Sequence, residues 1–256
     1  MNIIIRKQLE PKEYLDILSL KHYNNLFFKS SYNAYIDNQS NDYDAFLLMY
    51  DNDILVSYLA IFAPFDDGVE ITGYTHPEHF NHGYFHILLK KASDMYNMPF
   101  YYSICDNSPA AKHILASINA SYSHSEYIMH IKKKIRLNKN IRNISICQHE
   151  VAKHSEYVFY ISDKLADVGE AHIVIDGNLI NICDVLIYED YRNQGYGYKL
   201  LCHIIHFIQV QYDSSYSIIL QVSSKNPAAC HLYLKLGFEI YEQLDYYLQT
   251  TLVLIH

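Results

Sequence analysis

Hydrophobic positions along the chain recur at two spacings, and the switches between them mark out elements. In the second half, NISICQH (143–149) and EYVFYISD (156–163) alternate with period two, the mark of strands with one face buried. AHIVIDGNLINICDVLI (171–187) reads as a hairpin turning at Asp176 and Gly177, because Asp-Gly is a favoured two-residue turn. Leu200, Leu201, Ile204, Ile205 and Ile208 then recur at three- and four-residue spacing, which predicts an amphipathic helix. SIILQV (217–222) predicts a buried strand, PAACHLYLKLG (227–237) a helix with Gly237 near its C-cap, and the tail two further strands.

The first half runs through the same order. NIIIRKQL predicts a strand and residues 12–28 a helix; AFLLMYDNDILVSYLAIF predicts a hairpin and VEITGYT a further strand. A His-rich loop, a helix from about His86, strand FYYSIC, helix PAAKHILAS and strand EYIMHI follow. HPEHFNHGYFHILL (76–89) lies over YEDYRNQGYGYKLL (188–201) without a gap, matching Asn81, Gly83, Tyr84, Leu88 and Leu89 to Asn193, Gly195, Tyr196, Leu200 and Leu201. Further on, Pro109, Ala110, Ala111 and His113 match Pro227, Ala228, Ala229 and His231. Two ordered matches separated by similar lengths indicate a duplicated unit, and a fixed self-similarity of this kind defines the architecture. The expected division is 1–134 and 135–256, each half a mixed α/β domain with a mostly antiparallel sheet flanked by helices. The basic stretch KKKIRLNKNIR (132–142) reads as strand end and linker. Thirty residues and a helix separate the first two strands of the first half, against a handful in the second, so the second half is expected to lack its early helices.

Composition adjusts this picture only at the margins. With 20 Lys and Arg against 28 Asp and Glu, the net charge of −8 argues against a nucleic-acid partner, since phosphate neutralisation needs basic excess. No apolar run approaches the ~20 residues of a spanning helix, so no membrane partner is expected. Five scattered Cys with no CxxC pair suggest free thiols, and the cytoplasm is the expected compartment. His76, His79, His82 and His86, with Glu78, tempt a zinc reading, but their spacing matches no standard zinc motif and no metal is expected.

The loop YRNQGYG (191–197), entered from a strand and leading into a helix, carries the most chemistry. Unsatisfied N–H groups and the dipole at a helix N-terminus suit an anion, and Gly195 and Gly197 allow close approach to a diphosphate. The loop lacks both the GK[ST] ending of a P-loop and GxGxxG after a first strand. DVLIYEDYRNQGYGYKLL (184–201) resembles motif A of the GNAT superfamily of acyl-CoA-dependent N-acyltransferases, with Arg192, Gly195 and Gly197 at its defining positions. NPAACHLYLKLGF (226–238) resembles motif B of the same family.

That resemblance implies an acetyl-CoA-dependent N-acetyltransferase of tandem type whose N-terminal repeat is degenerate. It implies that Val185, Leu186 and Ile187 bond the pantetheine arm through their backbone. Arg192, Asn193, Gln194, Gly195, Tyr196, Gly197 and Tyr198 would hold the pyrophosphate, and Asn226 and Ala229 would add contacts from motif B. An Asn before Pro equally suits a helix N-cap. Tyr233 matches the family's general acid, and Asp184 is the candidate base, with Glu170 and His172 as further candidates. In a regular strand Asp184 would point away from the inward face of Asn181 and Cys183. Phe80, Phe85 and Leu115 stand where the second half has Arg192, Gly197 and Tyr233, so the first half is expected to bind no acetyl-CoA and to wall the acceptor site instead. The acceptor is expected to be a small-molecule or peptide amine, and the protein a monomer or homodimer. A non-catalytic acyl-CoA-binding sensor or interaction protein is the alternative.

Overall fold

The computed structural model describes residues 1–28, 43–65, 68–105, 109–131, 144–152, 155–164, 166–212 and 216–250, so the expected linker at 132–142 lies outside the described residues. The chain forms two compact units, Met1–His124 with Leu244–His256, and Ser125–Gln243.

In the first unit, β1 (Asn2–Arg6) is followed by α1 (Pro11–Phe28), then β2 (Ala45–Asp51), β3 (Ile54–Phe65) and β4 (Gly68–Thr75). After them come α2 (Tyr84–Met95), β5 (Phe100–Cys105), α3 (Pro109–Ser117) and the start of β6 (Ser121–Ile131), whose residues from 125 on belong to the second unit. β1 to β4 pair antiparallel in sequence order, β4 pairs β5 in parallel, and residues 244–249 of the chain's last strand pair antiparallel with β5. Each sheet face has its own core. Leu88, Leu89 and Ala92 of α2 and Leu115 of α3 join Leu47, Leu59, Ile71 and Phe100 on one side. Ile17 and Leu20 of α1 cover Phe46, Leu48, Tyr58 and Ala60 on the other.

The second unit repeats the plan with β7 (Ile144–Ala152), β8 (Glu156–Asp163), β9 (Ala166–Asp176), β10 (Leu179–Ile187), α4 (Tyr196–Gln211), β11 (Ser217–Ser223), α5 (Pro227–Lys235) and the start of β12 (Phe238–Gln249), whose residues from 244 on belong to the first unit. β7 to β10 pair antiparallel in order and β10 pairs β11 in parallel. The strand beyond β11 is β6, whose residues 126–131 pair antiparallel with it. The division therefore differs from the linear boundary at 134/135: each repeat's sheet is completed by the other repeat's last strand. Hydrophobic periodicity identifies such a strand but not its partner, because an alternating strand satisfies either edge.

Within this unit β7 runs directly into β8, without the helix that α1 provides in the first. Its single core, built on Phe159, Ile161, Ala171, Ile173, Ile180, Ile182, Leu200, Ile204 and Leu220, lies on the face carrying α4 and α5. The β9–β10 turn falls on Gly177 and Asn178, one residue later than expected, with Gly177 at φ 53°. The tail forms one twelve-residue strand, β12, in place of the two expected.

Candidate active site

Parallel pairing of β10 with β11 runs from Leu179 opposite Ser217 to Ile182 opposite Leu220. Past Ile182 the two strands part, and β10 continues to Ile187 beside β9 alone. This leaves the β11 side of residues 185–187 without a partner strand, with the Ile187 carbonyl there taken by Arg192 Nε. A bulge between Cys183 and Leu186 accompanies the parting, with Asp184 in the left-handed region at φ 50°. Bulges re-aim side chains next to sites. Opposite the bulged end, Gly169 is required, since a Cβ there would lie 2.3 Å from the Leu186 carbonyl oxygen.

β10 ends in a 3-10 turn, Glu189–Tyr191, and the chain then takes two left-handed steps, Asn193 at φ 61° and Gly195 at φ 82°. These steps bring the chain to the start of α4. Lys199 makes the first helical bond, to the Gly195 carbonyl. Among the described residues, no backbone N–H from 193 to 198 donates to a protein acceptor. That row of donors at the N-terminus of a sixteen-residue helix fits a diphosphate. Around it, Arg192 Nε donates to the Ile187 carbonyl (3.0 Å) and Gln194 Nε2 to the Asp190 carbonyl (3.0 Å), so both side chains brace the loop. The Tyr196 hydroxyl turns inward to the Asp163 carboxylate. Two cations missed in the sequence stand close by: Lys199 lies over the Tyr196 ring at 5.2 Å and Lys235 over the Tyr198 ring at 5.3 Å. Lys199 was recoverable from its place one turn after Tyr196, but Lys235 comes from α5 and needs the fold.

The two glycines divide the work differently from the sequence expectation. Gly195 has open space where a Cβ would go, so its positive φ is what excludes other residues. A Cβ at Gly197 would point inward, 3.2 Å from Leu232 Cδ2 and 3.6 Å from Ile187 Cγ1. Its absence lets α4 close onto α5 and the end of β10.

α5 opens with Asn226, whose Oδ1 accepts from the Ala229 N–H at 3.1 Å, so the capping role is the one the structure shows. Tyr233 faces the core, buried against Phe238 at 6.0 Å between ring centroids. Burial, and then the neighbouring Cys230, push its phenol up to about 12, so it holds its proton through the neutral range.

The sheet face turned away from α4 is the one α1 covers in the first unit. Here it carries Glu156 on β8, Glu170 and His172 on β9, and Cys183 on β10. The bulge overturns the regular-strand expectation for Asp184, whose Oδ2 comes to 4.0 Å from His172 Nδ1 on this face. Asp184 is nonetheless 74% exposed along its side chain, against 26% for His172. Burial, followed by Asp184 and Glu156, pushes the Cys183 thiol up to about 11, which keeps it a thiol.

The first unit copies this loop in its backbone. Asn81 and Gly83 stand at φ 65° and 77°, a 3-10 turn spans Pro77–His79, and α2 starts at Tyr84. β4 parts from β5 after Ile71, but without a bulge: Thr72 pairs Ala60 and Tyr74 pairs Tyr58 in unbroken register. A cavity of about 380 Å³ lies at the parting, lined by Thr72, Gly73, Phe80, Phe85 and Leu115 among others. His76, His79 and His82 form a chain of ring contacts, and among the described residues no three His, Cys, Asp or Glu converge as for a metal.

Comparison with known proteins agrees with this geometry. Residues 124–238 match the model of the Acetyltransferase (GNAT) family. Its fold is similar to a GCN5-related N-acetyltransferase from Sphaerobacter thermophilus, at TM-score 0.75 and 11% identity over 97% of this chain and 95% of that one. It is also similar to a tandem GNAT protein from the clavulanic acid biosynthesis pathway, at 0.71 and 8% over 97% and 98%. A GNAT-family acetyltransferase from Colwellia psychrerythraea follows at 0.62 and 13% over 98% and 100%. No curated protein matches the sequence significantly. Among the described residues, no helix is long and apolar enough to cross a membrane.

Proposed function

We propose that the second unit transfers an acetyl, or another short acyl, group from its coenzyme A thioester to an amine. The observation that carries the reading is the row of unpartnered N–H groups at 193–198 beside the parted end of β10. The N–H groups from Asn193 to Tyr198 hold the pyrophosphate, with Lys199 and Lys235 adding positive charge. Arg192 keeps the loop against β10. The parted end of β10 at Val185, Leu186 and Ile187 aligns the pantetheine arm, and a backbone N–H there steadies negative charge on the thioester oxygen during attack. Tyr233 supplies the proton to the departing sulfur. Thioester bond energy comes from the coenzyme; alignment and proton placement come from these residues.

The test is release of free thiol from acetyl-CoA by the full-length protein with a panel of small and peptide amines. Acyl transfer requires amine-dependent release, confirmed by mass of the acylated product. Tight acetyl-CoA binding with no release for any amine would instead establish a coenzyme-binding sensor.

A further inference from the structure

The acyl-transfer reading leaves one role unfilled, that of the group that takes the proton from the attacking amine. Resting on that reading, we propose that His172 fills it. The side chain stands on the face of β9 opposite the core residues Ala171 and Ile173, and its Cα partner is Cys183, the last residue before the bulge. It therefore sits where β10 turns out of register toward the parted end of the strands. Nδ1 lies 3.9 Å from Glu156 Oε1 and 4.0 Å from Asp184 Oδ2, too far for direct hydrogen bonds but close enough for charge to act. Nε2 is left as the proton acceptor.

The alternatives on this face are weaker. Asp184 is largely solvated, and a solvated carboxylate is a poor base toward an amine. Cys183 stays a thiol. Glu170 pairs Leu186 beyond the bulge. Imidazole is the side chain suited to accepting and releasing a proton near neutrality. The groups facing it are Glu156 and Tyr160 from β8, Glu170 on its own strand, Cys183 and Asp184 from β10 and, one strand further, His149. The carboxylates of Glu156 and Asp184 attract a cationic acceptor.

The step balances as follows. The neutral amine's lone pair forms the C–N bond at the thioester carbonyl, and the carbonyl π pair moves to oxygen. His172 Nε2 takes one amine proton. The oxygen pair returns, the C–S bond breaks with its pair on sulfur, and Tyr233 gives sulfur a proton. The imidazolium and phenolate reset by exchanging one proton through solvent, so amide and thiol are the only net products.

The experiment is the pH profile of kcat/KM for full-length wild type, His172→Gln, Asp184→Asn and Glu156→Gln, using two active amines of different basicity. An acid limb common to both amines belongs to the enzyme. His172→Gln should lower kcat/KM at neutral pH by roughly 10²-fold, leave the KM for acetyl-CoA within about twofold and abolish the common limb. Asp184→Asn and Glu156→Gln should each keep that limb and lower kcat/KM by less than His172→Gln does, since neither carboxylate takes the proton. A merely structural role would leave the limb in place, and an unshifted limb in active His172→Gln overturns the assignment alone. Should His172→Gln not fold, Asp184→Asn decides, its exposed side chain tolerating replacement: a retained limb supports His172, and loss of the limb there would make Asp184 the base and overturn the assignment. Wild type without amine-dependent thiol release overturns the acyl-transfer reading, and this assignment falls with it.

Discussion

The two Gly loops have nearly the same backbone and different side chains. Gly83 and Gly195 both precede their helices in the left-handed region, at φ 77° and 82°, and Asn81 and Asn193 two residues earlier do the same. Phe80 and Arg192 then occupy equivalent extended positions, at φ −62°, ψ 150° and φ −65°, ψ 158°. What separates the loops is what projects from them. Arg192 ties its loop to the Ile187 carbonyl, whereas Phe80 packs edge-on against Phe27 of α1. Gly197 leaves room between α4 and α5 that Phe85 fills with a ring packed on the first unit's core. The backbone frame is thus common to both repeats although the side chains that project from it differ. The left-handed glycine is held by turn geometry, whereas the cation serves the bond to the Ile187 carbonyl and the second glycine the packing of α4 on α5.

The sharpest way to break the comparison is to give the second loop the first loop's ring. Gly197→Phe would drive a side chain into Leu232 and Ile187 and push α4 away from β10. Acetyl-CoA affinity, measured by calorimetry on the full chain, should fall on the order of 10³-fold, about 4 kcal/mol. The reciprocal exchange, Phe80→Arg with Phe85→Gly, should add a second and weaker site to the same titration. If stoichiometry stays at one, the missing bulge in β4, rather than the two rings, is what disables the first unit.

Next in size is Tyr233→Phe, which keeps the ring in its place against Phe238 and removes only the hydroxyl. It should lower kcat by roughly 10²-fold with little change in acetyl-CoA affinity. The raised phenol also predicts a stability signature. The folded state favours protonated Tyr233, so its contribution is complete below the unfolded value near 10 and is lost as pH rises through about 12. Thermal melting of wild type should fall between those pH values, and the variant should fall less steeply.

How much of this was legible in the sequence depends on the range of the interactions involved. The loop, both helices behind it, the missing helix between β7 and β8 and the internal repeat were all readable, because each is set by local periodicity or spacing. Three features were not. The bulge at Asp184 has no local signature: it exists because β10 must leave β11 while staying on β9, and only Gly169 across the pair hints at the close approach. The placement of His172 near Asp184 follows from that bulge. The exchange of β6 and β12 between the units depends on which sheet edge each strand meets, a choice that alternation along the strand does not encode.

Arg192→Phe tests a smaller difference. Because the arginine's visible bond is to the Ile187 carbonyl, its loss should loosen the loop without removing the N–H donors at 193–198. An affinity loss near tenfold is expected, about 1.4 kcal/mol, with kcat on bound substrate nearly unchanged. A much larger loss, steeply dependent on salt, would mean that the guanidinium meets phosphate directly.

Asn226→Ala should have the smallest effect. The side chain caps α5 through the Ala229 N–H, and Pro227 at the first helical position already sets the entry angle. Removing such a cap costs about 1 kcal/mol, seen as a small drop in the denaturation midpoint. Asn226→Asp restores the acceptor oxygen but not the amide N–H, so the pair separates the two roles open to this residue. If capping is all that Asn226 does, Asp recovers both stability and acetyl-CoA affinity. If the amide also donates to the pantetheine, Asp recovers stability while affinity stays low, and motif B contributes a ligand contact as well as a helix start.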